Sequence, residues 1–182
     1  MPRSLPLIAL LATLAGCAAL LENTAQEDAQ LVRVIVQANL AEIAAGKLAA
    51  ARARSPAVRR LGQQMAREHT QLQAEASELK SAQGVPLPTR PDADQEALLR
   101  KLRALPRGDF DDAYLDSMVK AHGELLRVLE RGASRARDPA LRAHAQNALP
   151  RIRQHLELAR RLTAAAKASF LRRAPGSPTH PT

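Results

Sequence analysis

One eight-residue pattern occurs twice in this chain, and it restricts the fold more than any other feature. Arg52-Ala53-Arg54-Ser55-Pro56-Ala57-Val58-Arg59 is matched further on by Arg135-Ala136-Arg137-Asp138-Pro139-Ala140-Leu141-Arg142. In each copy a Ser or Asp stands before a proline. Ser and Asp are good helix N-caps because their side-chain oxygens accept from the free N–H groups of the first turn. Proline suits the first helical position, where no N–H is needed. Each copy therefore reads as one helix ending and another starting at once, and two such turns predict two helical hairpins.

The flanking sequence agrees with that plan. The chain has no Trp, one Tyr and two Phe, so it lacks the aromatic residues that strands favour, and its abundant Ala, Leu and Arg suit helices. Its 182 residues are enough for one domain with a single core. The single cysteine excludes an internal disulfide.

Helix punctuation supplies the boundaries. Thr24 and Glu27 have capping-box spacing ahead of a first helix that reaches about Arg54. The second helix starts at Pro56 and is expected to stop near Gly84. A proline-rich connection follows, with Asp92 placed to cap a short helix over residues 93–105. After Pro106-Arg107-Gly108, a third long helix is expected from about Asp109 to Arg137. The fourth runs from Pro139 to about Ser169, with Pro150 expected to kink it. Residues 170–182 read as a disordered tail, basic and rich in Pro. The stretch between Gly84 and Asp109 is too long for a tight turn and long enough to run along a bundle. The expected fold is all-α: a ferritin-like four-helix bundle over residues 25–169, two helical hairpins joined by a long crossover containing a short helix.

Alternating three- and four-residue spacing picks out one apolar stripe per long helix. These are Leu31, Ile35, Ala38, Glu42, Ala45, Ala49; then Val58, Gly62, Met65, His69, Leu72, Ala76, Leu79; then Leu115, Met118, His122, Leu125, Leu129; and last Leu141, Ala145, Ala148, Ile152, His155, Leu158, Leu162. Apart from Gly62, each stripe carries one non-apolar residue: Glu42, His69, His122 or His155. Glu42 and His69 are nearly equidistant from Pro56, and His122 and His155 from Pro139. At about 1.5 Å per residue these positions lie roughly 20 Å and 25 Å from their turns. With the turns at opposite ends of a bundle about 45 Å long, all four share one level.

Three imidazoles and one carboxylate suit zinc, iron or copper better than magnesium or calcium. Met65 and Met118, one turn before two of the histidines, are further candidate ligands that favour copper, although a Met at core spacing also serves as filler. The alternative is a buried polar network in which Glu42 and the histidines pair with one another, with Tyr114 or Glu68 nearby, and only fix helix register. His144 and His180 fall off the stripes and read as surface residues.

The N-terminus has a leader pattern: one positive charge within Met1 to Ser4, then an apolar run from Leu5 to Leu14 too short to span a bilayer. Leu14-Ala15-Gly16-Cys17 resembles the lipobox of bacterial lipoproteins. The resemblance implies cleavage after residue 16, acyl chains on Cys17 that anchor the chain in a bilayer, and a tether over residues 17–24. Ala18, where an Asp commonly marks inner-membrane retention, implies the outer membrane, facing the periplasm.

The formal net charge is +9, one less once Arg3 leaves with the leader. Such a charge suits anionic headgroups or simply a solvated Arg-rich surface. Nucleic acid is not expected as a partner, because the basic residues are mixed with acids and no aromatics stand between them as stacking platforms.

Residues Ala41 to Ala49, Met65 to His69, Tyr114 to His122 and Leu149 to Glu157 together resemble the bacterial envelope family called domain of unknown function 4142. The likeness covers nearly all of residues 25–168 and implies a ferritin-like bundle and an exported location, but no particular reaction. Di-iron members of the ferritin-like fold use Glu-x-x-His pairs. Here Ala66 and Ile152 stand three residues before His69 and His155, leaving too few carboxylates for two irons. No nucleophile arrangement or phosphate-cradling glycine loop is present either, which argues against an enzyme. Three readings follow: a membrane-anchored lipoprotein that buffers, senses or carries a transition metal; a structural or interaction protein with a polar packing network; and, third, a mononuclear metalloenzyme.

Overall fold

The computed structural model describes the backbone of residues 8–79 and 82–173 and the side chains of residues 25–79 and 82–169. It is all-α, with five helices and no strand among the described residues: α1 Ile8–Arg52, α2 Pro56–Ser77, α3 Ala93–Ala104, α4 Arg107–Arg135 and α5 Pro139–Arg173.

Both repeated turns form as their residues dictate. Ser55 caps α2, its Oγ accepting from the N–H of Ala57 at 3.2 Å. Asp138 Oδ1 accepts from the N–H of Ala140 at 2.9 Å. The last arginine of each octapeptide folds back over its own turn. Arg59 Nη1 donates to the carbonyls of Ala53 and Arg54, and Arg142 Nη1 to those of Ala136 and Arg137. An aspartate from the other hairpin then closes each turn. Asp111, in the first turns of α4, accepts from the N–H groups of Arg54 and Ser55 at 3.0 and 2.7 Å. Asp28 of α1, nearly buried, accepts from those of Arg137 and Asp138 at 2.9 and 2.7 Å. The α1–α2 turn thus sits beside the start of α4, and the α4–α5 turn beside residue 28 of α1.

The helices pack in pairs. α1 lies along α2 and α4 along α5; the pairs join through α1 against α4 and α2 against α5, and α3 rests on α1 and α4. Gly46 and Gly62 let α1 and α2 come unusually close. A Cβ on Gly46 would stand 2.7 Å from the Gly62 carbonyl oxygen and 2.8 Å from the Ala66 nitrogen. Over Ala25–Arg52, α1 is long and apolar enough by length and composition to cross a membrane. Its apolar face, however, is packed against the neighbouring helices.

Several boundaries differ from the sequence expectation. α1 begins at Ile8, far upstream of Thr24, because the Ala- and Leu-rich residues before Thr24 are strong helix formers and carry the helix through that position. The expected tether is accordingly helical. α2 ends at Ser77, seven residues short of Gly84, and is followed by overlapping turns from Ala76 to Val85. Gly84 serves those turns by adopting φ +74°, open to glycine at no steric cost. The short helix forms as expected, with a complete capping box between Asp92 and Gln95. α4 starts at Arg107, since Pro106 accepts from Asp109 N–H and the turn closes two residues early, and it ends at Arg135. α5 passes through Pro150 and continues to Arg173. Residues 1–7 of the leader, residues 174–182 of the tail including His180, and the Cys17 side chain lie outside the described residues.

Two apolar clusters fill the interior. One contains Ile35, Val36, Leu72, Leu125, Leu129 and Ile152; the other contains Ala45, Met65, Tyr114, Leu115, Met118 and Ala159. Each long helix crosses from one cluster to the other at its polar residue: α1 at Asn39 and Glu42, α2 at His69, α4 at His122, α5 at His155. The fold holds a polar layer between two greasy ones.

Candidate metal centre

His69, His122 and His155 are each 0% exposed. Their ring centroids are 5.3 to 5.5 Å apart. One nitrogen from each lies within 4.8 Å of the other two, and among the described residues this is the only such grouping. The heights deduced from residue counts are therefore met by three helices at once.

No hydrogen bond joins one of these histidines to another among the described residues; each is tied outward by a different partner. His69 Nδ1–H donates to Asn39 Oδ1 at 2.9 Å. His122 Nδ1–H donates to the Met118 carbonyl at 3.0 Å, one turn back on its own helix. His155 Nε2–H donates to a Glu68 carboxylate oxygen at 2.7 Å. Since amide, carbonyl and carboxylate oxygens only accept, these bonds set the tautomers. The remaining nitrogens, Nε2 of His69, Nε2 of His122 and Nδ1 of His155, are buried and have no protein partner. A metal-bound histidine shows this pattern, its outer N–H held by a carbonyl or carboxylate and its other nitrogen left for the ion.

The electrostatics keep the rings neutral. Burial pushes the His69 imidazole well below its ordinary value, and His122 and His155 push the same way. Burial, with His155 adding to it, lowers His122 to about 3, against a smaller opposing effect of the Met118 bond. His155 is lowered by burial although Glu68 resists. Neutral imidazole is the form that binds metal. A tetrahedral zinc site places its nitrogens about 3.3 Å apart, so each ring would need to move inward by roughly 1 Å. The donor set therefore fits a first-row transition ion.

Glu42 belongs to the same layer but not to the three-nitrogen group. It is 4% exposed, with Oε1 3.8 Å from His122 Nδ1, too far for a hydrogen bond. Its Oε2 has no partner. Burial raises its pKa to about 8, so near neutral pH it is mainly the uncharged acid and forms no ion pair with the ring. Met65 and Met118 are buried in the apolar cluster on one side of the layer, and it is the Met118 carbonyl that accepts from His122 Nδ1–H.

Two corrections concern side chains that the stripes passed over. His144, expected at the surface, is buried with 7% exposure; Nδ1 lies 3.7 Å from a Glu75 oxygen, and burial lowers its pKa. It precedes His155 by eleven residues, three helical turns, so the two lie about 20° apart on one face. Asn39, the outer partner of His69, is 1% exposed and one turn before Glu42. That spacing was the available signal. Tyr114 is also buried near this layer with an unpartnered hydroxyl, its pKa raised first by burial and then by Glu42.

No curated protein matches the chain, and neither does any solved structure. A family model does match, over residues 15–162, a span that takes in all of α2 and α4, most of α1 and α5, and every residue of the polar layer. On that match the chain belongs to the family described as domain of unknown function (DUF4142).

Proposed function

We propose that this chain is a lipid-anchored protein of the bacterial envelope whose helices form a ferritin-like four-helix bundle with a long crossover, and that the bundle carries one transition-metal ion, zinc, copper or iron, on His69, His122 and His155. One observation carries the metal reading. Three buried imidazoles each give one nitrogen to a separate outer acceptor and keep the other unpaired in a shared layer. An unsatisfied buried polar atom costs about 1–3 kcal/mol, so three together are expensive unless something binds them. Glu42 stands beside the histidines as a candidate fourth ligand. The role is buffering, sensing or carriage; among the described residues no acid–base or nucleophilic constellation supports a reaction.

The bundle reading is supported by the closing aspartates. Asp111 holds the α1–α2 turn beside the start of α4 and Asp28 holds the α4–α5 turn beside residue 28 of α1, which supports a connection from Ser77 to Arg107 that runs along the bundle. The anchor reading rests on Leu14-Ala15-Gly16-Cys17 after an apolar run. The implied partner is a bilayer, in the outer membrane facing the periplasm.

A second reading has its own observation. The His69–Asn39 bond ties α2 to α1, and the His155–Glu68 bond ties α5 to α2, as a register-setting packing network would. Metal analysis of protein purified without added metal, beside a His69→Ala/His122→Ala variant, separates the two. The metal reading expects about one ion per parent chain and none in the variant. Equal metal content and unchanged melting in both would end it. A parent free of metal and a less stable variant would favour the packing network. For the anchor, Cys17→Ser should move the protein from the membrane fraction to the soluble fraction.

A further inference from the structure

The histidines are sealed, so an ion needs a way in, and one groove leads toward them. It holds about 850 Å³ between α1, α3 and α4. Its walls are largely apolar, with Val34, Leu98, Leu102 and Leu125 among them. Its lining includes Asp92, Asp94, Asp116 and Glu124, opposed by Lys101 and Lys120, an acidic excess in a chain whose net charge is +9. None of the three histidines lines it. Glu42 does, and its Oε1 is also 3.8 Å from His122 Nδ1, the nitrogen of that ring held by the Met118 carbonyl.

From this juxtaposition we infer that the groove under α3 is the entry path for a divalent cation, and that Glu42 is its last carboxylate stop before the histidine centre. This rests on the metal reading above. Acidic side chains alone would not make a site; the second observation is Glu42 itself, 4% exposed, lining the groove and with Oε2 lacking any partner. The exposed carboxylates Asp92, Asp94, Asp116 and Glu124 attract the cation by charge, Glu42 takes it up by releasing its proton to solvent, and the imidazoles beyond hold it more tightly because softer nitrogen donors suit first-row ions. The roof is lightly fastened. α3 is held by Leu99 and Leu102, by Gln37, which donates to Arg90 and Gln95 at its start, and by Arg52, which donates to the Leu105 carbonyl at its end.

The test is stopped-flow uptake of cobalt(II) by the full chain in detergent, read by the absorption of the bound ion. Ala121→Trp fills the groove from α4, and Leu98→Trp, at a 40% exposed position, narrows it from α3 with less risk to folding. Circular dichroism checks that each variant is folded. Both should slow uptake at least tenfold while leaving the final spectrum and the one-ion stoichiometry as in the parent. Asp116→Asn/Glu124→Gln should slow uptake several-fold at low salt, with the difference closing at high salt. Parent-like uptake in all three variants overturns the path and leaves the metal centre standing. A parent that takes up no cobalt overturns both. Parent-like uptake combined with loss of binding of N-phenyl-1-naphthylamine, an apolar dye, would make the groove an organic-ligand site and overturn the path as well.

Discussion

Gly46→Ala separates two physical effects of opposite sign. Alanine is the better helix former by about 0.8–1 kcal/mol, so propensity alone predicts a more stable protein. Packing predicts the reverse. The new Cβ would sit 2.7 Å from the Gly62 carbonyl oxygen and 2.8 Å from the Ala66 nitrogen. Ordinary contact begins near 3.4 Å, so a gap of 0.6 Å or more has to be opened against backbone on the facing helix. Neither atom belongs to a side chain that can swing aside, so α1 and α2 must part. Overpacking costs about 1–3 kcal/mol, and backbone against backbone belongs at the upper end. The net loss should be about 1–2 kcal/mol, or about 2–8 °C in melting temperature for a chain of this size. Gly123→Ala is the control: it is helical, with nothing within 4 Å of the new Cβ, and should raise the melting temperature by about 2–4 °C. Gly46 is also one turn from Glu42, so the same variant should weaken metal binding while the control leaves it unchanged. Thermal melting by far-ultraviolet circular dichroism reads both substitutions. A Gly46→Ala protein that melts at or above the parent temperature would refute the close-approach argument.

Three further outcomes are expected. Asp28→Ala removes the acceptor for two turn N–H groups in a nearly buried place and should lower stability by about 3 kcal/mol, measured by urea unfolding; a change below about 1 kcal/mol would mean the turn closes without it. Glu68→Gln weakens the outer hold on His155 and should reduce metal affinity by about 10–100-fold, read by competition with a chelating dye, with little change in melting of the metal-free protein. The metal-free protein should be most stable near pH 6.5. His122, lowered to about 3, and His69, His155 and His144, lowered in the same direction, contribute stability that is present above about pH 6.5 and lost as pH falls toward their folded values. Glu42, raised to about 8, contributes stability that is full below about pH 4.5 and lost as pH rises through 8. Each group contributes a slope of at most about 1.4 kcal/mol per pH unit, so below pH 6.5 four histidines outweigh one acid and above it Glu42 acts alone. Urea midpoints at pH 5, 6.5 and 9 that rise steadily toward acid would contradict this account.

Much of the arrangement was legible from local chemistry. Ser55-Pro56 and Asp138-Pro139 declare helix starts because capping and the missing proline N–H act over one turn, and both helices begin where those residues stand. Periodicity placed His69, His122 and His155 on buried faces, since a helix of fixed pitch leaves little freedom about which residues share a side. Counting from the two turns put them at one level because the rise per residue is constant. Where local signals competed, the reading failed: the cap at Thr24 was overridden by strong helix formers before it, and Gly84 served a later turn rather than the end of α2.

Other features come from contacts between segments distant in sequence. Asp28 closes a turn more than a hundred residues away, and Asp111 one more than fifty away, and neither pairing follows from spacing. Asn39 and Glu68 became the outer partners of His69 and His155 because Gly46 and Gly62 let α1 and α2 close to backbone distance and because α5 lies against α2. Helix identity, stripes and heights are set by forces acting within a few residues, and those the amino-acid order determines directly. Which nitrogen of each histidine is tied and which is left unpaired depends on groups brought in by other helices, and only the tertiary structure decides that.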